Sequence, residues 1–335
     1  MPTVSVIIVN FNGEKLLADC LGSLARQTYR DFEVIFVDNG SVDGSLARAR
    51  ELMPEAHFIP LQENTGFARG NNIGIAVARG THIVLLNNDT EAEPRFLEEL
   101  VRAAESHPKA GMVAPKILNF FDRALIDSVG GLVMCADGIA QGRGRGEQDT
   151  GQYDALEEVL LPSGCAALYR KAMLDEVGLF AEDFFAYCED SDLGLRCRWA
   201  GYGAVSAPRA VVFHKYSASS STYSPWKLRL VERNHYLLTL RNFPAPMLAL
   251  VPAWSLYRHG LMAWAFFNGR GKGQAADGNP RWALFKAFVQ GHWEALRASP
   301  AHLRRSRPPR RLSPAEFWRL LRNHRISLRD MIFNA

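Results

Sequence analysis

The sequence predicts an α/β protein, in which a mostly parallel, Rossmann-like sheet is flanked by helices and followed by a helical C-terminal extension. Three observations lead there. Short aliphatic runs of strand length alternate with helix-spaced apolar patterns through the first third of the chain. Each run stops at polar, turn-forming residues, as strands of an open parallel sheet do where ligands bind. After Pro225 the strand patterns end and helical ones take over.

Taken in order, Val4–Val9 opens as a strand, and Lys15–Arg26 spaces Leu16, Leu17, Cys20, Leu21 and Leu24 as a helix does. Phe32–Val37 is the second strand, Ser45–Leu52 a short helix and His57–Pro60 a third strand. Asn64–Gly74 is glycine-bearing and enters a helix, which suits a backbone that approaches a ligand closely. Ile83–Leu86 is four large aliphatic residues, the signature of a strand buried on both faces. It breaks off at Asn87-Asn88-Asp89-Thr90. A single carboxylate at that end suits a divalent metal on a diphosphate, with Mg2+ or Mn2+ fitting oxygen ligands. The alternative is a helix cap, because Glu91-Ala92-Glu93-Pro94 looks like a helix start.

The middle of the chain is less regular. Strands are expected at Gly111–Ile117 and Ser128–Cys135, and Gly142–Gly146 with Gly151 reads as a mobile surface loop rather than a phosphate cradle. Leu160–Tyr169, small residues ahead of a helix at Lys171–Val177, is a second close-approach point. Phe184–Asp192 is the densest chemical cluster, with aromatic residues just before Glu189, Asp190 and Asp192. A carboxylate in a partly apolar pocket stays basic enough to take a proton. Val211–His214 is a further strand that delivers His214 as a metal or phosphate ligand, followed by Ser217–Thr222 as a run able to close over a ligand.

Beyond Pro225, Trp226–Arg241 is helical. Phe243–Tyr257 is apolar but holds three prolines, and Arg258-His259-Gly260 is expected to interrupt it before Leu261–Phe267. The run is too short for a spanning helix, which needs about 20 apolar residues. An interfacial helix or helical hairpin is expected instead, with an ordinary hydrophobic core between helices as the alternative, and the Arg-rich tail just downstream favours the membrane face.

Composition bounds the classes. At 335 residues the chain can bury a large core, with about two domains as the prior. Cys20, Cys135, Cys165, Cys188 and Cys197 form no CxxC pair, so buried reduced thiols are expected rather than a disulfide framework or zinc site. Met1-Pro2-Thr3 runs straight into a strand without a basic stretch, so neither a signal nor a transit peptide is expected. From Arg297 onward ten Arg face Glu316 and Asp330, a net of +8 against about −4 for the rest. Such a tail, flecked with Trp293, Phe317, Trp318 and Phe333, suggests an anionic surface as partner. It contains no recognisable nucleic-acid module, so no nucleic acid is expected.

Five motifs in order resemble those of the inverting nucleotide-sugar glycosyltransferases of family 2, which have the GT-A fold, in their bacterial rhamnosyltransferase-like branch. They are Val6–Asn12, Val37–Ser45, Asn64–Gly74, Leu86–Thr90 and Glu189–Leu193 with Arg196 and Gly201-Tyr202. The family's Asp-x-Asp pattern is reduced here to Asn87-Asn88-Asp89.

The resemblance implies a catalytic domain over 1–222, with nucleotide-sugar binding in 1–110 and acceptor and catalytic parts in 111–222. A helical, membrane-associating region over 223–335 would follow. It implies donor binding by Asn10, Asn12, Asp38, Asn39, Asp43, Asn64, Gly66, Phe67, Asn72, Asn88, Ser163 and Gly164, and metal binding by Asp89 and His214. Asp190 would be the general base, with Glu189 or Asp192 as alternatives. The partners implied are a nucleoside-diphosphate sugar, dTDP-rhamnose by analogy, and a glycan or polyprenyl-linked acceptor in cell-surface polysaccharide synthesis. The expected location is the inner face of the cytoplasmic membrane, with a homo-oligomer possible.

Competing with this are a sugar nucleotidyltransferase and a non-catalytic sugar-nucleotide or glycan sensor. The first needs an N-terminal glycine-rich loop with a basic residue, which Asn10-Phe11-Asn12-Gly13 does not offer. The second is motivated by the missing carboxylate in the metal motif.

Overall fold

A computed structural model describes residues 1–215, 224–268, 281–304 and 309–333, so the Ser217–Thr222 run lies outside the described residues. Strands β1 (Val4–Asn10), β2 (Phe32–Asp38), β3 (His57–Pro60) and β4 (His82–Leu86) alternate with helices α1 (Leu17–Ala25), α2 (Ser45–Leu52) and α3 (Gly66–Val77). β1 pairs in parallel with β2 and β4, and β2 with β3. The register sets Asn10 beside Asp38, so the polar ends of these strands stand level along one edge.

The second half of the sheet is mixed. β5 (Thr90–Ala92), α4 (Phe96–Ser106) and β6 (Ala110–Asn119) are followed by short strands β7 (Ile126–Val129), β8 (Leu132–Met134) and β9 (Ala140–Gly142). β10 (Ala166–Arg170), α5 (Lys171–Val177), α6 (Glu189–Trp199) and β11 (Gly203–His214) complete it. β10 runs antiparallel between β4 and β6, β11 lies parallel to β6, and β5 closes the edge. The main sheet therefore runs β3-β2-β1-β4-β10-β6-β11-β5, with β7 on β6. Leu17, Leu21, Phe96 and Leu100 cover one face, and Ala68, Ile75, Met173, Leu174 and Leu193 the other.

The C-terminal helices are α7 (Pro225–Asn242), α8 (Ala245–Leu248), α9 (Val251–Phe267), α10 (Arg281–Arg304), α11 (Pro314–Asn323) and α12 (Leu328–Phe333). They seat on α6 through a separate core. Trp199 stacks on Phe317 with ring centroids 4.0 Å apart, and its Nε1 donates to the Asn242 carbonyl at 2.9 Å.

Four expectations need correction. Thr90–Ala92 is not a helix entry but a strand paired with Val212–His214, and the helix starts only at Phe96, so Asp89 caps nothing. The strand expected over Ser128–Cys135 is split at Gly130 and Gly131, both at positive φ. Gly142–Gly146 is no mobile loop: Arg143 and Val129 are joined through the backbone, as are Gly146 and Ile126. Arg258 does not interrupt α9, because its charge is buried against Asp137 and Glu232.

Candidate active site

The buried β4 strand delivers Asn87-Asn88-Asp89 to the cleft, and the sequence that follows is tied down on three sides. The Asn87 N–H donates to the Cys165 carbonyl at 2.9 Å, Asn88 Nδ2 to Asn10 Oδ1 at 2.7 Å, and the Lys215 N–H to the Asp89 carbonyl at 2.9 Å. The β5–β11 register sets Thr90 against His214, which brings His214 Nε2 to 3.4 Å from Asp89 Oδ1. His214 Nδ1 sits 2.7 Å from Asp127 Oδ2, and Arg145 Nη2 is 3.6 Å from the other oxygen of Asp127.

Burial works against a charged His214, but the Cys165 sulfur and the Asp127 and Asp89 carboxylates more than offset it, holding its pKa well above the ordinary histidine value. Burial likewise disfavours the Asp127 carboxylate, and His214 and Arg145 reverse this, leaving its pKa low. Asp89 is 4 % exposed, and its Oδ1 is buried without a hydrogen bond. A buried carboxylate oxygen that makes no hydrogen bond and faces an imidazole nitrogen at 3.4 Å, on a cleft wall, fits a divalent cation that displaces the imidazole proton; the donor set is one oxygen and one nitrogen.

Asp190 arrives differently. It lies in the first turn of α6, after a loop in which Phe185, Tyr187 and Cys188 all have positive φ. Left-handed non-glycine residues cost of order 1–3 kcal/mol each and persist only where the surroundings enforce them. The enforcement comes from α7. Asn234 Nδ2 donates to the carbonyls of Phe184, Ala186 and Tyr187 at 2.9, 2.8 and 2.8 Å, and Arg233 Nη2 to those of Asp183 and Phe184 at 2.8 and 2.9 Å.

Asp190 then accepts from the N–H groups of Gly164 at 2.8 Å and Ser191 at 2.6 Å. Burial raises its pKa above the ordinary value, and these donors pull it back only in part. Glu189 is pushed up much further, by burial and by Asp190 beside it, and its Oε2 has no hydrogen-bond partner. Two glycines make the approach possible. A Cβ on Gly164 would sit 3.3 Å from the Asp190 side chain, and one on Gly66, at φ +86°, would strike the Phe185 carbonyl.

Both carboxylates border one cleft of about 460 Å³. Of the sequence-predicted residues, Asn39, Asn64, Gly66, Phe67, Asn88, Asp89, Ser163, Gly164, Glu189, Asp190 and His214 line it. Asn10, Asn12, Asp38, Asp43, Asn72 and Asp192 do not. Asn10 is fully buried and its Nδ2 donates to Asp38 and Ser41, while Asn12 Oδ1 accepts from the Val42 N–H. Asp43 is engaged by Ser45 and by the Glu14 N–H, and Asn72 clamps the backbone of Phe180. Asp192 is fully buried between Arg196, Arg241 and Asn242, so it has no path to an acceptor.

Sequence reasoning missed Asp127, Arg145, Trp226 and Lys227, and took Tyr187 only as one of the aromatic residues ahead of Glu189. Trp226 meets Phe185 and Tyr187 edge-on with centroids 6.0 and 5.8 Å away, forming an aromatic wall, and Lys227 Nζ lies 5.4 Å from the Tyr187 ring. Arg145 was visible only inside its glycine-arginine run, and Asp127 carried no signal.

The sequence model of glycosyl transferase family 2 matches residues 5–178. The N-acetylglucosaminyl-diphospho-decaprenol L-rhamnosyltransferase of Mycobacterium tuberculosis is 28 % identical over 236 residues, covering 64 % of this chain and 76 % of that one. S. aureus TarS 1–349 in complex with UDP superposes with a TM-score of 0.53 at 18 % identity, over 90 % of each chain; of the longer TarS chain this one spans 50 %. A mannosyltransferase of Pyrobaculum calidifontis, in complex with GDP-Man and Mn2+, gives 0.53 at 18 %, over 88 % of this chain and 87 % of that one. At that identity the structural likeness shows a shared fold, the GT-A arrangement of a mostly parallel sheet flanked by helices.

Proposed function

The chain belongs to glycosyl transferase family 2, and on that premise we propose that it is an inverting, metal-dependent transferase. Its donor would be a nucleoside-diphosphate sugar and its acceptor a hydroxyl of a lipid-linked glycan in cell-surface polysaccharide synthesis. By analogy with the rhamnosyltransferase of M. tuberculosis, the donor is dTDP-rhamnose and the acceptor resembles N-acetylglucosamine on a polyprenyl diphosphate. The observation that carries this is the shared cleft: carboxylates far apart in the chain, Asp89 and Asp190, border one space.

In this reading Asp190 takes the proton of the acceptor hydroxyl, help worth ~10²–10⁴-fold. Its raised pKa makes it a better base than an exposed aspartate. Glu189, whose carboxyl is pushed toward the protonated form, donates a hydrogen bond to a sugar hydroxyl. Asn39, Asn64, Asn88 and Ser163 bind the donor from the sheet side, and Trp226 with Tyr187 gives the sugar ring a face to stack on.

Asp89 and His214 would hold Mg2+ or Mn2+, which when bound supplies positive charge to the diphosphate as it leaves. Asp127 fixes the His214 ring. Attack from the face opposite the leaving diphosphate inverts the anomeric centre and needs one base, with no second carboxylate as nucleophile. Residues 1–222 are the catalytic part and 223–335 the region that meets the membrane. No helix among the described residues is long and apolar enough to cross a bilayer, and the contact proposed is peripheral, from the cytoplasmic side.

The test is a thermal-shift screen of nucleoside diphosphates and sugar nucleotides with and without Mn2+, followed by transfer to N-acetylglucosaminyl polyprenyl diphosphate. Asp190→Asn should abolish transfer and keep the donor-induced shift. Near-normal turnover would move the base elsewhere, to Glu189 first. Donor binding without turnover on any polyprenyl-linked acceptor would make the chain a non-catalytic sugar-nucleotide binder.

A further inference from the structure

The helix α10 carries two apolar faces where a globular protein needs one. Its inner face is made of small residues: Ala287 and Ala295 are buried, and a Cβ on Gly291 would meet the Arg229 carbonyl on α7 at 2.5 Å. Those residues let α10 lie flat against α7. The opposite face holds Trp282, Phe285, Val289, Trp293 and Leu296, spaced by three and four residues and so aligned in one stripe about 21 Å long. Trp282 is 71 % exposed, Leu296 67 % and Trp293 59 %. A surface helix normally turns such a stripe inward. Single exposed apolar residues need no explanation, but a continuous row of large ones marks an interaction site.

Charge says what covers it. Residues 224–335 hold 19 Lys and Arg against 5 Asp and Glu, a net of +14, whereas residues 1–223 hold 20 against 30, a net of −10. The stripe belongs to the cationic part, Lys286 and Arg297 flank it, and Arg297 lies over the Trp293 ring at 5.7 Å. An apolar row with tryptophans and a basic border is the composition of a helix that lies in the boundary between acyl chains and anionic headgroups. A polyanion such as nucleic acid would use the charge and leave Val289 and Leu296 without a role.

We infer that α10 docks the chain on an anionic lipid surface, with Trp282, Phe285, Val289, Trp293 and Leu296 inserted and Lys286 and Arg297 at headgroup level. The inference deepens the reading of a lipid-linked acceptor and rests on it for its purpose. It also has a steric basis: α10 packs on α7, and α7 clamps the loop that presents Asp190, so docking holds the base at a set height above the lipid.

The experiment is co-sedimentation of the full chain with phosphatidylcholine vesicles, with and without phosphatidylglycerol. The chain should bind only the anionic vesicles. Trp282→Ser with Trp293→Ser should weaken binding by about tenfold or more while keeping the melting temperature and the donor-induced shift. Lys286→Gln with Arg297→Gln should weaken it less, and added salt should erase that difference.

No binding by the parent chain, or undiminished binding by the tryptophan variant, overturns the inference. So does a parent chain that is a dimer in solution and becomes monomeric in that variant, since the stripe then covers a second copy. Displacement from vesicles by excess RNA, with the tryptophan variant retaining RNA affinity, overturns it in favour of a polyanion. Vesicle binding without any transfer leaves the docking face standing and removes the transfer reading. Transfer to a soluble acceptor without vesicle binding does the reverse.

Discussion

Asp89 and Asp190 border one cleft but are held there by opposite means. Asp89 follows a strand buried at every residue, and its loop is fastened by neighbouring strands, so its position follows from sheet geometry. Asp190 follows three left-handed residues that no local preference favours, and α7, a helix that follows more than thirty residues later, clamps that loop. The side proposed to hold metal is thus part of the fold. The side proposed to accept the proton is held in place by the C-terminal region, and the two should fail differently when perturbed.

Apart from the loss of transfer expected of Asp190→Asn, the largest effect is expected on the sheet side. Asp89→Asn keeps shape and removes the charge, and should lower kcat on the order of 10²–10³-fold, with the Mn2+-dependent part of the thermal shift lost. Asp127→Ala should cost about 10–100-fold in Mn2+ affinity, because His214 loses the acceptor that orients it. Mn2+ titration followed by thermal shift reads both. An Asp89→Asn variant with unchanged Mn2+ response would remove that side of the comparison.

Asn234→Ala tests the other side. It strips three carbonyls of a common donor and should destabilise the protein by about 1–3 kcal/mol. Turnover should fall roughly tenfold as Asp190 drifts, while donor KM stays near normal. Lys116→Met, which breaks the ion pairs of β6 with Asp149 and Asp154 and leaves α7 untouched, serves as the control: it should lower stability without the same selective loss of kcat. If both variants lose activity only in step with stability, the clamp is structural and α7 does not set the position of Asp190.

The same contrast explains what could be read in the sequence. Ser45–Leu52, His57–Pro60 and Lys171–Val177 carry their own periodicity or bounding turns, and all three have the expected ends. Thr90–Ala92 is three residues long, and only its pairing with β11 makes it a strand. Gly203–Ala210 was missed because it mixes Ser206, Pro208 and Arg209 into its apolar run. Within α9, Arg258 looked like a break because its partners Asp137 and Glu232 are remote in sequence. The site divides likewise: Asp89, His214 and Asp190 end or begin regular elements, while Asp127 and Arg145 act through partners that only the folded chain brings near.

The smallest effect is in the pH dependence of stability, where neighbouring carboxylates in α6 should pull in opposite directions. Burial raises the pKa of Asp190, so its contribution is fully present below its unfolded value and is lost as pH rises through the folded one. Burial alone would raise Asp192 too, but Arg196 and Arg241 reverse it and hold its pKa low. Its contribution is present above the unfolded value and lost as pH falls through the folded one.

Asp190→Asn should therefore gain melting temperature relative to the parent as the buffer goes from acid to neutral. Asp192→Asn should fall behind the parent over the same change, and by more, since it leaves buried arginine charge unmatched. Melting curves of the three proteins across that range read both signs. An Asp190→Asn variant that loses ground toward neutral pH would mean that its carboxylate is stabilised as the anion, which is the wrong poise for a group that must take a proton from a sugar hydroxyl.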